Sequence, residues 1–370
     1  MDRRSFILRV SMARRGLAMF GAAMLLLTSC NAPREGAVPD VRQQRLAPLA
    51  AELQAAEDVA AISRLPPIDA QLARPPASAA SAPAGMPAEI AAALREIGPR
   101  IDSARTAPLY APLHAGKVHP DVHVRRELSY GPDPKHRADV FTGQVGGSAR
   151  PVLVFAYGGG FRGAYRSSPD SPFYDNIGYW AAENGLVGIT IQYRLAPQFT
   201  YPAGAEDIAR AVSWVREHAR QWGGDPDRLF LWGHSSGAAH VADYLVRTPG
   251  APVRAAILMS GIYDLGTEGP SMWSAYYGED VSKYAERSSL PRLIELPLPI
   301  MAVWAELDAP NFISDSQNLI RGRRQKGRPV VEVFLPNHSH LSEAYAVGTD
   351  DVSLTVPLLE FIRDQSAPRR

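Results

Sequence analysis

Gly233-His234-Ser235-Ser236-Gly237 is a G-x-S-x-G sequence set between an apolar stretch, Leu229 to Trp232, and a helix-forming one, Ala238-Ala239-His240-Val241-Ala242. A chain that turns this abruptly from strand to helix forces the serine into a strained backbone and lifts its hydroxyl clear of its surroundings. Side chains at 233 and 237 would collide with neighbouring backbone, which accounts for the glycines. The helix N-terminus aims backbone donors at whatever the hydroxyl attacks. These features suit covalent acyl transfer with Ser235 as nucleophile. An ordinary glycine-rich turn has the same letters but no reason to stand at a strand-to-helix junction. Upstream, Tyr157-Gly158-Gly159-Gly160-Phe161 closes the apolar run Pro151 to Tyr157. An acyl-transfer intermediate carries a negative oxygen that needs preorganised N–H donors, and glycines let backbone approach it unobstructed.

These groups need a scaffold. Val122 to Leu128 alternates like a strand, and Arg137 to Phe141 is a second short one. Pro151 to Tyr157, Leu186 to Tyr193, Leu229 to Trp232, Ala255 to Met259, Ile300 to Ala305 and Val330 to Leu335 are apolar runs of buried-strand length. Helical stretches such as Ala205 to His218 separate most of them. Alternating strand and helix predicts an α/β fold with a mainly parallel central sheet and helices on both faces. Such sheets carry their sites beyond the carboxyl ends of the strands.

The chain has 370 residues, 46% of them apolar, and a formal net charge of +1. That balance argues against nucleic acid as a partner. The first 29 residues hold five arginines against one aspartate, leaving a net −3 for the rest. Arginines followed by the apolar run Leu17 to Leu27 predict a secretory signal over residues 1–29, too short to span a bilayer comfortably. Leu27-Thr28-Ser29-Cys30 resembles the lipobox of bacterial lipoproteins, which implies lipidation at Cys30 and a membrane held through a lipid anchor. Cys30 is the one cysteine in the chain, so no internal disulfide forms. Arg3-Arg4-Ser5-Phe6-Ile7 resembles a twin-arginine export signal, although Met12 opens a complete shorter signal of its own. Residues 30–116 read as an Ala/Pro-rich linker with short helical patches, among them Ala88 to Ile97, and residues 117–370 as the catalytic domain.

The segments Leu128 to Gly131, Tyr157 to Phe161, Tyr193-Arg194-Leu195-Ala196-Pro197, Tyr201 to Asp207, Gly224-Asp225-Pro226, Gly233 to Gly237 and Ser260 to Leu265 together resemble the α/β-hydrolase esterases. The likeness is strongest to the carboxylesterase and feruloyl-esterase-like branch bordering on kynurenine formamidases, and runs from about residue 120 to 365. Tyr157 stands where the lipase and esterase glycine loop usually has histidine. The resemblance implies oxyanion donors at Gly159 and Gly160, joined by the N–H of Ser236. It also implies an acid after the penultimate strand and a histidine after the last. Asp308 in Glu306-Leu307-Asp308-Ala309-Pro310 is the expected acid, with Glu306, Asp315 and Asp264 as alternatives. His340 is the expected base because it directly precedes a helix expected from Leu341 onward, with His338 expected to orient the loop or line the pocket. Two histidines at i, i+2 also suggest metal ligands, but no third ligand cluster accompanies them. Asp207 reads as a packing or capping carboxylate. Residues Gly266 to Leu290 occupy the place of a small cap whose Trp273, Tyr276 and Tyr277 either line a pocket or form cap core.

The function expected is cleavage of a small-molecule carboxylic ester through an acyl-enzyme on Ser235, with no cofactor and no metal. A formamidase or amidase using the same residues, and a non-catalytic binding protein on the same scaffold, are the competing expectations. The sequence leaves oligomeric state open.

Overall fold

The computed structural model describes residues 85–144, 149–163, 171–266 and 273–367. The expected signal, Cys30 and the spacer as far as residue 84 lie outside these residues. In chain order the elements are helices α1 (Ala88–Ile97) and α2 (Ser103–His114), strands β1 (His123–Ser129), β2 (Arg137–Thr142) and β3 (Arg150–Ala156), helix α3 (Asp175–Glu183), strand β4 (Val187–Ile191), helix α4 (Ala203–His218), strand β5 (Gly224–His234), helix α5 (Ser236–Arg247) and strand β6 (Ala255–Met259). The short helices α6 (Ser274–Tyr277), α7 (Tyr284–Arg287) and α8 (Leu290–Glu295) follow. Strand β7 (Ile300–Leu307), helix α9 (Pro310–Gln325), strand β8 (Val330–Ser339) and helices α10 (Ser342–Tyr345) and α11 (Thr355–Ser366) complete the order. Among the described residues no helix is long and apolar enough to cross a membrane.

The strands form one eight-stranded sheet in the order β1-β2-β4-β3-β5-β6-β7-β8. β1 and β2 are antiparallel additions at one edge, and β3 to β8 run parallel. The unbroken apolar runs are explained by burial on both faces, as in β6, where Ala255 to Met259 are all fully buried. Helix α5 is buried along nearly its whole length and packs against β5 and β6, so the helix that follows Ser235 is a core element.

The catalytic domain expected from residue 117 begins earlier. Ile90, Ala91, Leu94 and Ile97 of α1 form a stripe at helical spacing, and with Met86 and with Tyr110 of α2 they enter the same buried core as the sheet. Helix α1 packs against β8, and Arg95 Nη1 donates to Asn337 Oδ1 at the end of that strand. Alanine-rich composition, legible as linker, here serves close helix packing. Two strands are also longer than their apolar runs. β5 starts at Gly224 because that residue pairs with Arg150, and β8 continues to Ser339, which pairs with Leu307.

Candidate active site

Strand register assembles the site. Ala156 pairs with Gly233, so the glycine loop after β3 leaves the sheet beside the turn that carries Ser235. His234 pairs with Met259, Met259 with Val303 and Leu307 with Ser339. Serine, acid and histidine therefore all emerge at the carboxyl edge of neighbouring parallel strands.

Ser235 sits between β5 and α5 at φ 56° and ψ −125°, a conformation that costs an L residue on the order of 1–3 kcal/mol. Its surroundings over-determine it. Ser235 N–H donates to the Met259 carbonyl at 2.9 Å, and its own carbonyl accepts from Ala239 N–H at 3.1 Å. A Cβ on Gly237 would stand 2.1 Å from the Ala156 carbonyl oxygen, and one on Gly233 2.5 Å from Ala238 Cα. No side chain fits at either position, as the sequence pattern predicts.

In the glycine loop, Gly160 has φ +59° with open space around it, so its requirement is conformational. Among the described residues no acceptor is bonded to the N–H of Gly159, Gly160 or Ser236, leaving these three donors free. The loop is braced without the histidine usual at 157. Tyr193 Oη donates to the Tyr157 carbonyl at 2.7 Å and lies 3.3 Å from Ser236 Oγ, joining the two sources of donors. Phe161 anchors the far end of the loop, stacked on Tyr276 with centroids 4.7 Å apart.

Asp308 and His340 are brought together. His340 Nδ1 lies 2.8 Å from Asp308 Oδ1, and both side chains are buried. A carboxylate oxygen only accepts, so Nδ1 carries the hydrogen and Nε2 presents its lone pair. That Nε2 is buried and has no hydrogen-bond partner among the described residues, and no hydrogen bond joins it to Ser235 Oγ in this conformation. Bonds of this kind often tighten only when substrate is bound. Asp308 Oδ2 takes the Ala305 N–H at 2.9 Å and the Ser260 hydroxyl at 2.6 Å, which fixes the carboxylate plane.

The alternatives go elsewhere. Glu306 accepts from Asn337 N–H at 2.7 Å, holding the end of β8 beside His338. Asp315, in α9 as expected, accepts from the N–H groups of Tyr263 and Asp264 at 2.7 and 3.2 Å, and burial pushes its carboxyl up to about 7. Asp264 accepts from Gly266 N–H at 3.0 Å. His338 lies within β8, with Nδ1 3.0 Å from Ser342 Oγ and Nε2 3.0 Å from Asp351. It orients the loop, and among the described residues it belongs to no group of three ligating side chains. Asp207 is a fully buried packing carboxylate that accepts from Arg194 N–H at 2.8 Å and meets His136 Nε2 at 2.8 Å.

Three polar side chains of the site were not singled out by sequence. His234 is fully buried, and its Nε2–H donates to the His340 carbonyl at 2.8 Å. Burial, then the neighbouring His340, holds its ring well below the usual histidine range, so it is neutral. Ser260 directly follows β6, and Glu343 lies buried in α10, where burial and then Asp308 hold its carboxyl well above the ordinary range. A signal existed for Ser260, which occupies the strand-end position next to that of Ser235. Glu343 has a weaker one, as an acid flanked by Leu341, Ala344 and Tyr345. Among the described residues His234, His340 and Glu343 are the one trio whose ligand atoms come within 4.8 Å. Both imidazole hydrogens already have protein acceptors, so the trio reads as a hydrogen-bonded frame.

The cap question resolves by position. Tyr276, Tyr277 and Tyr284 are essentially fully buried in a second apolar cluster with Phe161 and Phe312, and are cap core. The Phe312 ring is tilted against the His340 ring with centroids 4.2 Å apart, and meets the Trp273 ring edge-on at 6.2 Å.

A family profile described as alpha/beta hydrolase fold matches residues 153–309, from the strand before the glycine loop through Asp308. This chain has the α/β-hydrolase fold. The α/β-hydrolase chain is 30% identical over 156 residues to a probable isoprenylcysteine alpha-carbonyl methylesterase of Arabidopsis thaliana, covering 42% of this chain and 30% of that one. It is 29% identical over 178 residues to the probable carboxylic ester hydrolase LipM of Mycobacterium tuberculosis, covering 43% and 39%. The match thus spans well under half the length of these curated relatives. Among solved structures, a bacterial heroin esterase superposes with a TM-score of 0.58 at 23% identity, covering 76% of this chain and 98% of that one. Esterase B from Lactobacillus rhamnosis, inhibited by a ligand, gives 0.59 at 17% identity, covering 75% and 97%. At these identities the structural likeness speaks to fold.

Proposed function

We propose that this α/β-hydrolase is a serine esterase acting on small-molecule carboxylic esters. The observation that carries the reading is the His340–Asp308 pair at 2.8 Å, with the free Nε2 of His340 on the strand edge that also presents Ser235. In this reading Ser235 Oγ attacks the ester carbonyl while His340 Nε2 takes the hydroxyl proton. The tetrahedral oxyanion is held by the N–H groups of Gly159, Gly160 and Ser236. His340 returns the proton to the leaving alkoxide as the C–O bond breaks, leaving an acyl-Ser235 ester. Water, deprotonated by His340, then attacks that ester, and the carboxylic acid departs with Ser235 reprotonated. Asp308 keeps the imidazole in the required tautomer throughout. No step calls for a cofactor or metal. The esterase names of the relatives support the ester over the amide as substrate.

We further propose that the enzyme is exported and held to a bacterial envelope membrane, on its periplasmic side, through lipidated Cys30. The lipobox-like sequence and the basic, apolar N-terminus support this reading.

The test of substrate class is a rate comparison on purified protein between p-nitrophenyl esters of rising chain length and N-formylkynurenine. Faster ester cleavage is expected. A faster rate on the formamide would make this a formamidase, and no turnover of either would favour a binding role.

A further inference from the structure

We infer that Glu343 is a neutral acid that positions Asp308 through Ser260, so that His340 works against one buried negative charge and not two. The inference rests on the proposed roles of His340 and Asp308. Ser260 Oγ lies 2.6 Å from Asp308 Oδ2 and 3.0 Å from Glu343 Oε2. Ser260 and Glu343 are fully buried, and Asp308 nearly so. One hydroxyl has one hydrogen, so it cannot donate to both acids.

The other donors decide where it goes. Asp308 also receives the Ala305 N–H and faces the His340 ring, an environment that suits an anion. Glu343 receives nothing comparable. Its Oε1 has no hydrogen-bond partner among the described residues. His234 Nε2 is 3.3 Å from that oxygen, but its hydrogen goes to the His340 carbonyl at 2.8 Å. A buried carboxylate without donors takes a proton instead. With that proton on Oε2 the chain closes as Glu343 O–H to Ser260 O–H to Asp308 Oδ2. The Ser260 hydroxyl then has a single orientation, which holds the Asp308 carboxylate plane for His340.

The groups facing Glu343 are Asp308 from the turn after β7, His234 from β5, His340 from the turn after β8 and Tyr263 from the segment after β6. Burial keeps the His234 ring and the Tyr263 phenol neutral, so Asp308 is the standing charge beside it. Burial first, and Asp308 second, raise the Glu343 carboxyl well above its ordinary value, in agreement with the geometry.

The test compares Glu343→Gln, Glu343→Leu and Ser260→Ala with wild type in full pH profiles of kcat/KM. Glutamine is neutral and still donates to Ser260. It should keep most of the rate that leucine loses and leave the acid limb, which reports protonation of His340, where it is in wild type. Leucine and Ser260→Ala should each lower kcat about tenfold or more, with KM little changed. An acid limb that moves to lower pH in Glu343→Gln would mean an anion has been removed, and would overturn the inference. So would full kcat in Glu343→Leu. Should the leucine variant fail to fold, infrared difference spectra at neutral pH decide. Asp243 and Asp315 contribute acid bands to both proteins and cancel, so a protonated carboxylic acid band left in the wild-type minus Glu343→Gln difference supports the inference, and its absence from that difference overturns it. Failure of the esterase reading shows separately, as wild type without ester turnover, and leaves the infrared band unaffected.

Discussion

The main-chain carbonyl of His340 accepts a hydrogen bond from Nε2 of His234, the residue before Ser235, at 2.8 Å. The turn carrying the expected base is thereby registered against the turn carrying the expected nucleophile by an imidazole that never needs to change charge. His338 holds the same loop from the other side through Ser342 and Asp351. The two histidines of Asn337-His338-Ser339-His340 thus differ in what their removal does.

His340→Ala should remove several orders of magnitude of kcat with little loss of stability, because the residues of a catalytic triad act as a unit. His338→Ala should instead destabilise the fold by about 3 kcal/mol, since it removes the imidazole beside Oδ2 of the buried Asp351, whose Oδ1 keeps only the Ser353 N–H among the described residues. Below its lowered melting temperature it should stay within about tenfold of wild-type activity. Urea unfolding and kcat on the same preparations check this. A stable, inactive His338→Ala beside an active His340→Ala would reverse the assignment.

Gly237→Ala and Gly160→Ala separate two reasons for glycine. The first puts a methyl 2.1 Å from backbone oxygen, and no side chain can move aside. Its cost should reach about 3 kcal/mol or more, within the range of overpacking. The second has space but φ +59°, so its cost should be near 1 kcal/mol in stability, with the larger effect on kcat through a displaced donor. Equal stability losses in thermal melts would contradict this division.

Asp243, fully buried in α5, accepts from Tyr277 Oη at 2.9 Å, yet burial pushes its carboxyl up to about 7. An unfolded aspartate titrates near 3.9, so the folded state holds this proton more tightly. The stability it contributes is present below the unfolded value and is lost as pH rises from about 4 to about 7. Over that interval the penalty reaches on the order of 4 kcal/mol. Asp243→Asn removes the titration, so the variant should gain stability relative to wild type between pH 4 and pH 8, read by urea unfolding at both. A difference independent of pH would contradict the assignment.

Cys30→Ala should release the enzyme from the membrane fraction or block processing of its signal. In the proposed mature chain the segment after Cys30 is Ala/Pro-rich, so attachment would rest on acyl chains, each buried CH₂ contributing about 0.8 kcal/mol. Cell fractionation with mass spectrometry of the N-terminal peptide checks this. Wild-type protein wholly soluble, with unmodified Cys30, would contradict the tether.

The sheet was legible because strands buried on both faces are written as unbroken apolar runs, and Ser235 because only glycines fit around its turn. Asp308 and His340 followed from the order of strands once the resemblance was recognised. The start of the packed domain was not legible, since the alanines and prolines of residues 86–114 read equally as linker and as close-packed helix. Ser260 and Glu343 were hidden for a different reason. Their role depends on strand pairing and on the path of the chain after β8, which bring residues far apart in sequence to a single hydroxyl. The extension of β8 through His338 was hidden likewise, because it rests on the backbone pairing of Ser339 with Leu307.

Covalent trapping identifies the nucleophile itself. Purified protein is treated with a p-nitrophenyl phosphonate, digested and examined by mass spectrometry, alongside Ser235→Ala. Expected are stoichiometric loss of activity, one phosphonyl adduct on the peptide containing Ser235, and neither adduct nor ester turnover in the folded alanine variant. An adduct on another residue, or wild-type turnover in Ser235→Ala, would contradict Ser235 as the nucleophile.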